Sequence, residues 1–330
     1  MPLLDIRNLQ IDFGRDGNAL RAVDDVSLTI GEGETLGLVG ESGSGKSVTA
    51  LSITRLVPSP PARYVGGEIL VEGRDALKMS AAELRRIRGR LVSYVFQEPG
   101  ASLDAVFRVG SQIKEALKLH RPEAATDAEV VRLLKLVGIP APESRIRNYP
   151  HEMSGGMQQR AMIAIALASQ PKLLVADEPT TALDVTVQAQ IIELLRDLRQ
   201  RLGMAILLIT HNLGLVGDIA DRVAVMYAGQ LVESAPTHAL LQRPLHPYTQ
   251  ALLKSVPSLE GQVERLRTIP GQVPHLGAFP SGCRFHPRCA EARAECAKTT
   301  PSLTEAEPQR WVRCPFWKSE IRNPKSEIAA

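Results

Sequence analysis

Gly40-Glu41-Ser42-Gly43-Ser44-Gly45-Lys46-Ser47 is the stretch that decides the fold. It fits G-x-x-x-x-G-K-[ST], a loop whose backbone N–H groups wrap the phosphates of a nucleotide. Glycines at 40, 43 and 45 allow backbone angles and close approaches that side chains block. Lys46 can reach the β- and γ-phosphates, and the Ser47 hydroxyl can ligate Mg²⁺. Thr35-Leu36-Gly37-Leu38-Val39 is a short apolar strand running straight into the loop, and residues 47–56 suit a helix. Strand, loop and helix in that order argue against a chance glycine-rich turn.

Working outward, Leu173-Leu174-Val175-Ala176-Asp177 has the pattern of a buried strand ending in acid, followed by Glu178. In a P-loop fold the first acid, Asp177, holds the Mg²⁺ shell. Glu178 then sits where a general base can polarise an attacking water. A merely solvated strand end is a poor account of two acids followed by Pro179-Thr180-Thr181-Ala182-Leu183-Asp184. His211 follows the strand pattern of 205–209 and Gln97 follows that of 92–96. A lone His or Gln is ordinarily structural, but the carboxyl ends of strands are where open α/β sheets bind ligands. Ser154-Gly155-Gly156-Met157-Gln158 is a glycine turn opening a helix, with no catalytic side chain of its own. Such a helix start offers free N–H donors to a phosphate held elsewhere.

The remaining chain sets limits. At 330 residues, one large or two unequal domains are expected. Residues 1–38 read as β structure, with a turn expected at 14–17; 80–90 and roughly 109–170 carry helical periodicity, and Val187–Leu202 is amphipathic. Strands alternating with helices point to a parallel sheet covered on both faces. A net charge of +3 and 4% aromatic content neither demand nor exclude nucleic acid, and no polybasic run is present. No stretch approaches the roughly 18–20 apolar residues of a membrane span. The N-terminus lacks the layout of a signal peptide, so a cytosolic chain that meets membranes through a partner is expected.

From about Ser255 prolines recur and the four cysteines begin, which suggests a small irregular appendage. The order is Cys283-x5-Cys289-x6-Cys296-x17-Cys314. Clustered thiols in a reducing compartment favour metal over disulfides. Four thiolates suit tetrahedral Zn²⁺ or an iron–sulfur cluster. The close C-x₂₋₄-C pairs of structural zinc are missing, and the wider spacings better suit a cluster. Small buried hydrophobes describe any one cysteine but not all four.

Taken in order, Gly40–Ser47, Gln97, Ser154–Gln158, Asp177-Glu178, Asp184 and His211 resemble the ATP-binding-cassette ATPases over about residues 3–255. They correspond to Walker A, Q-loop, signature, Walker B with its glutamate, D-loop and switch histidine. The resemblance implies an α/β P-loop cassette: a mixed sheet flanked by helices, an antiparallel β subdomain and an α-helical subdomain at about 100–165. It places the nucleotide-binding domain at 1–255 and a cysteine-containing extension at 256–330. It further implies a head-to-tail pair holding two ATPs, each with Mg²⁺ ligated by Ser47, Gln97 and Asp177. One subunit would grip ATP with Gly40–Ser47 and Val48, and the other with Ser154, Gly155, Gly156, Met157 and Gln158. Phe13 matches the aromatic that stacks on adenine. Lys46, Glu178 and His211 match the catalytic positions.

A narrower resemblance, to the ATPase subunits of oligopeptide, dipeptide and nickel importers, rests on Val95-Phe96-Gln97-Glu98-Pro99, Ser102-Leu103, residues 151–160, His246-Pro247-Tyr248-Thr249 and the cysteine tail. Met153 in place of Leu, Met157 in place of Gln and Asn212 in place of Asp depart from the common pattern. This resemblance implies a 4Fe–4S cluster at Cys283, Cys289, Cys296 and Cys314, with zinc as the lesser alternative. It also implies two membrane permeases, a second homologous ATPase or a self-dimer, an extracytoplasmic substrate-binding protein, and a place at the cytoplasmic face of the inner membrane. No nucleic acid is expected. Competing readings are a soluble ATPase of the same fold acting on nucleic acid or ribosomes, a nucleotide-gated binding module, and an importer of nickel, glutathione or another small solute.

Overall fold

A computed structural model describes residues 1–14, 19–181, 183–255 and 269–318. The turn expected at 14–17 lies largely outside these residues, as do Ala182, Pro257 and the stretch that follows the expected boundary at 255/256. Two sheets organise the chain. The smaller is antiparallel, in the order β2-β1-β4-β5, from β1 (Leu4–Phe13), β2 (Leu20–Ile30), β4 (Ala62–Val71) and β5 (Arg74–Asp75). β1 and β2 send Leu4, Ile6, Leu9, Ile11, Val23, Val26, Leu28 and Ile30 inward, their alternation interrupted where the pairing register shifts between Ile6 and Leu9.

The larger sheet is assembled from β3 (Thr35–Val39), β6 (Val92–Val95), β7 (Leu173–Asp177), β8 (Ala205–Thr210), β9 (Arg222–Tyr227), β10 (Gln230–Pro236), β11 (Thr304–Glu307) and β12 (Arg310–Val312). Its order is β11-β12-β10-β9-β3-β8-β7-β6. From β9 to β6 neighbours run parallel, and from β9 to β11 antiparallel. The central strands are nearly continuous apolar runs because both of their faces are covered. Parallel neighbours bring the carboxyl ends of β3, β8, β7 and β6 side by side on one edge.

One core fills the space between the small sheet and one face of the large sheet. A second lies on the other face and joins the helices Val109–His120, Asp127–Leu136, Gly155–Leu167 and Val185–Leu202. The last of these starts on Asp184, whose side chain accepts from the Val187 N–H at 2.9 Å, and stops at Gly203, with φ +65°. Its buried stripe is Ile191, Ile192, Leu194, Leu195 and Leu198. The third core packs β9 and the helix Pro247–Lys254 around Phe285.

The proline-rich tail carries more regular structure than its sequence suggests. β11 and β12 form a hairpin turned at Gln309, φ +62°, and β12 pairs with β10, so the tail extends the main sheet. These strands are only four and three residues long, too short to show a period. β4, β9 and β10 also lie where no strand pattern was evident. No helix among the described residues is long and apolar enough to cross a membrane.

Candidate functional site

The loop after β3 is shaped by its glycines. A Cβ on Gly40 would lie 2.2 Å from the Met226 carbonyl oxygen, so only glycine lets the loop pass β9. Gly45 takes φ +99° immediately before the helix Lys46–Ser52. The Lys46 ammonium is buried and donates to the carbonyls of Gly40 at 2.7 Å and Glu41 at 3.0 Å. It stands 3.9 Å from Glu178 Oε1. Burial lowers its pKa against the pull of Glu178, Asp177 and Glu41.

Glu178 is the hub. Its φ of +46° is unusual for a side chain of this size. That backbone is held by its N–H donating to the Ile209 carbonyl of β8 at 2.9 Å. On Oε2, Thr181 Oγ1 donates at 2.9 Å, Gln97 Nε2 at 3.3 Å, and His211 Nδ1 lies at 3.1 Å. The hydrogen bond from His211, then that from Thr181, holds the Glu178 carboxyl below the usual carboxylate range, against burial. The same contact raises the His211 pKa. A half-sheltered, firmly ionised carboxylate therefore sits beside a buried ammonium.

Asp177, one residue earlier, is different. Burial pushes its pKa up against the Ser47 hydroxyl, with the Glu178 charge adding to the rise. Its Oδ1 is buried with no hydrogen-bond partner. A buried carboxylate oxygen lacking a donor, beside a hydroxyl, fits the all-oxygen shell of Mg²⁺.

The structure thus brings Lys46, Ser47, Gln97, Asp177, Glu178 and His211 to one sheet edge. It does not bring Ser154–Gln158 to them: the hydrogen bonds and ion pairs of the described residues include none between the two groups. Ser154 caps the helix Gly155–Leu167, its Oγ accepting from the Met157 N–H at 3.4 Å, and both Ser154 and Gly155 are exposed. Gln158 Nε2 is turned inward to the carbonyls of Pro150 at 2.8 Å and Met153 at 3.2 Å. A Cβ on Gly156 would meet Val187 at 2.9 Å, so this turn abuts the start of the helix after Asp184. Phe13 ends β1, half-buried against the first core, and Val48 packs against the same core. Thr181 was not singled out by sequence. Its place three residues after Glu178, where a short side chain can turn back, was the available signal.

The four cysteines all line one cavity of about 300 Å³, together with His246, Phe285 and Arg313. All four are free thiols. Burial, foremost, raises the pKa of Cys283 and Cys314 and pushes Cys289 up to about 11, with neighbouring cysteines adding to the rise in each. Among the described residues no three His, Cys, Asp or Glu side chains are grouped to hold a single metal ion. The thiols share a space without converging on a point.

Residues 23–181 match the family model described as ABC transporter, and residues 232–296 match that described as oligopeptide/dipeptide transporter, C-terminal region. A putative peptide import ATP-binding protein of Brucella abortus (strain 2308) is 52% identical over 318 residues, covering 95% of each chain. The oligopeptide transport ATP-binding protein AppD of Bacillus subtilis (strain 168) is 48% identical over 320 residues, covering 96% of this chain and 98% of that one. Among solved structures, the dimeric post-hydrolysis state of the ATP-binding cassette MJ0796 bound to ADP and Pi superposes with a TM-score of 0.62 at 26% identity, over 71% of this chain and 98% of that one. With a P-loop, a Glu178 hub and a tail of matching type on one continuous chain, this protein belongs to the ATP-binding subunits of the ABC transporter family.

Proposed function

We propose that this chain is the ATP-hydrolysing subunit that energises an importer of short peptides. The observation that carries the proposal is the gathering of Lys46, Gln97, Thr181 and His211 around the Glu178 carboxylate, beside the unpartnered Asp177 oxygen. Lys46 and the loop N–H groups bind the β- and γ-phosphates. Asp177 and Ser47, with Gln97 in reach, would hold Mg²⁺, which when bound neutralises phosphate charge. Glu178 orients the attacking water and takes its proton, and His211 and Thr181 hold that carboxylate in place.

The Ser154–Gln158 turn, exposed at Ser154 and Gly155, makes no hydrogen bond or ion pair with the Gly40–Ser47 loop among the described residues. It is suited to cap the γ-phosphate bound by a second ATPase subunit, identical or homologous. The catalytic unit is then a pair, with residues 1–255 as the cassette and 256–330 as its extension. Phe96, the chain neighbour of Gln97, and Val106 and Phe107 expose large apolar side chains, 42%, 74% and 56% exposed, that are suited to meet helices of the two membrane permeases. Docked there, the subunit would work at the cytoplasmic face of the membrane, supplied with cargo by an extracytoplasmic binding protein. The tail match and the names of the relatives support peptides as that cargo. The cysteine cavity is proposed as the seat of a 4Fe–4S cluster, which when bound ties the tail together.

Replacing Glu178 with Gln tests the hub: turnover should be abolished while nucleotide binding persists. Hydrolysis near the wild-type rate would remove Glu178 from its role.

A further inference from the structure

Three cysteines have an arginine as chain neighbour: Arg284 follows Cys283, Arg288 precedes Cys289 and Arg313 precedes Cys314. Arg284 and Arg288 turn away from the cysteine cavity and Arg313 lines it, and all three reach the nucleotide-binding core. Arg313 donates to the Leu231 carbonyl at 2.8 Å. Arg284 donates to the Ala228 carbonyl and, at 2.7 Å, to Asp24. Ala228 precedes Gly229, whose N–H donates to the Ser44 carbonyl of the phosphate loop at 2.9 Å.

Arg288 goes further. Its guanidinium grips the Glu41 carboxylate with two hydrogen bonds, Nη1 to Oε2 at 2.7 Å and Nη2 to Oε1 at 3.0 Å. It is itself fixed by the Pro270 carbonyl at 2.8 Å and by lying against the Tyr227 ring, and its side chain is only 6% exposed. The Glu41 backbone N–H donates to the hydroxyl of the buried Tyr248 at 2.9 Å. The Glu41 carbonyl receives Lys46 Nζ. One loop residue is thus held by the tail at its carboxylate, by the helix Pro247–Lys254 at its N–H, and by the phosphate-binding lysine at its carbonyl.

We infer that Arg288 is a positioning residue for the nucleotide site: through Glu41 it sets the orientation of the phosphate loop and of Lys46, so that the cysteine-bearing tail and the bound nucleotide act on one another. A two-pronged charge-assisted contact supplies the rigidity this needs. Coupling of this kind is reciprocal, so whatever orders the tail tightens nucleotide binding to the same degree that nucleotide orders the tail. The inference rests on the reading of Gly40–Ser47 as a nucleotide site.

The test titrates full-length protein with a fluorescent ATP analogue, comparing wild type, Arg288→Met, Glu41→Gln and the double variant. Arg243→Met serves as control, since it breaks a tail ion pair with Glu307 on the edge strand β11. Each single variant should weaken binding about tenfold, the size expected for a lost hydrogen bond between charged groups. The double should be no weaker than the worse single, the control should bind within about twofold of wild type, and Arg288→Lys should recover part of the loss. Wild-type affinity in Arg288→Met, even with a lowered melting temperature, would make Arg288 merely structural and overturn the inference, as would losses that multiply in the double. Should Arg288→Met not fold, Glu41→Gln breaks the same pair from the loop side, and unaltered binding there overturns it equally. A wild-type protein that binds no nucleotide would refute the functional reading itself.

Discussion

Thr181→Val removes one hydroxyl from the Glu178 hub while nearly conserving volume. The lost contact is a 2.9 Å hydrogen bond to a carboxylate whose side chain is 14% exposed. Hydrogen bonds to charged groups contribute about 1.5–3 kcal/mol. His211 and Gln97 remain on the same oxygen and water can reach it, so the lower end of that range applies. At about 1.4 kcal/mol per decade, kcat should fall roughly tenfold. Affinity for nucleotide should stay within about twofold, because Thr181 touches the carboxylate and not the phosphate loop. The sign of the pH effect is fixed as well. Thr181 is one of the groups holding the Glu178 pKa down, so its loss raises that pKa and moves the acid limb of the rate profile to higher pH. Phosphate release across a pH series, with Thr181→Ser as the variant that keeps the hydroxyl, measures both. Activity of Thr181→Val within twofold of wild type, an unmoved acid limb, or equal damage from Ser and Val would refute the reasoning.

Asp177→Asn should bind nucleotide without Mg²⁺ as wild type does, yet lose the tightening that Mg²⁺ confers and hydrolyse at least about a hundredfold more slowly; a Mg²⁺ response like that of wild type would contradict the placement of the ion at the unpartnered Oδ1. For the cysteine cavity, anaerobically purified protein should absorb near the blue–violet edge and bleach on reduction, and Cys289→Ser should lose that band; a colourless protein carrying stoichiometric zinc would contradict the cluster.

The gathering of side chains around Glu178, proposed as the nucleotide site, was legible in the sequence because its residues stand at strand ends. Gly40, Gln97, Asp177, Glu178 and His211 are scattered over more than 170 positions, yet each closes or follows β3, β6, β7 or β8. In a parallel sheet those ends share an edge, so a run of apolar residues with a polar residue at its close carries the geometry. The site residues could be named before their contacts were known. The clamp on Glu41 was not legible in the same way. Arg288 is 247 positions away, in a stretch without periodicity, and nothing local marks which of several arginines turns toward the loop. β11 and β12 were hidden for a related reason: their pairing is imposed by β10, while Pro301 and Pro308 make the stretch look irregular. Tyr248 was noticed only as part of a resemblance, and its hydroxyl acquires meaning once the loop is seen against it.

The central claim is that Glu178 is the base of an ATPase whose site is completed by a second subunit. The measurement that tests it most directly is the mass of Glu178→Gln in solution, with and without ATP and Mg²⁺, alongside its rate of phosphate release, using this chain alone and mixed with its partner ATPase. The account predicts that ATP drives a stable pair that does not turn over, and that adding Ser154→Arg to both members abolishes the pair while leaving each chain able to bind nucleotide. A monomer that hydrolyses ATP at the same rate with Glu178 replaced would contradict it.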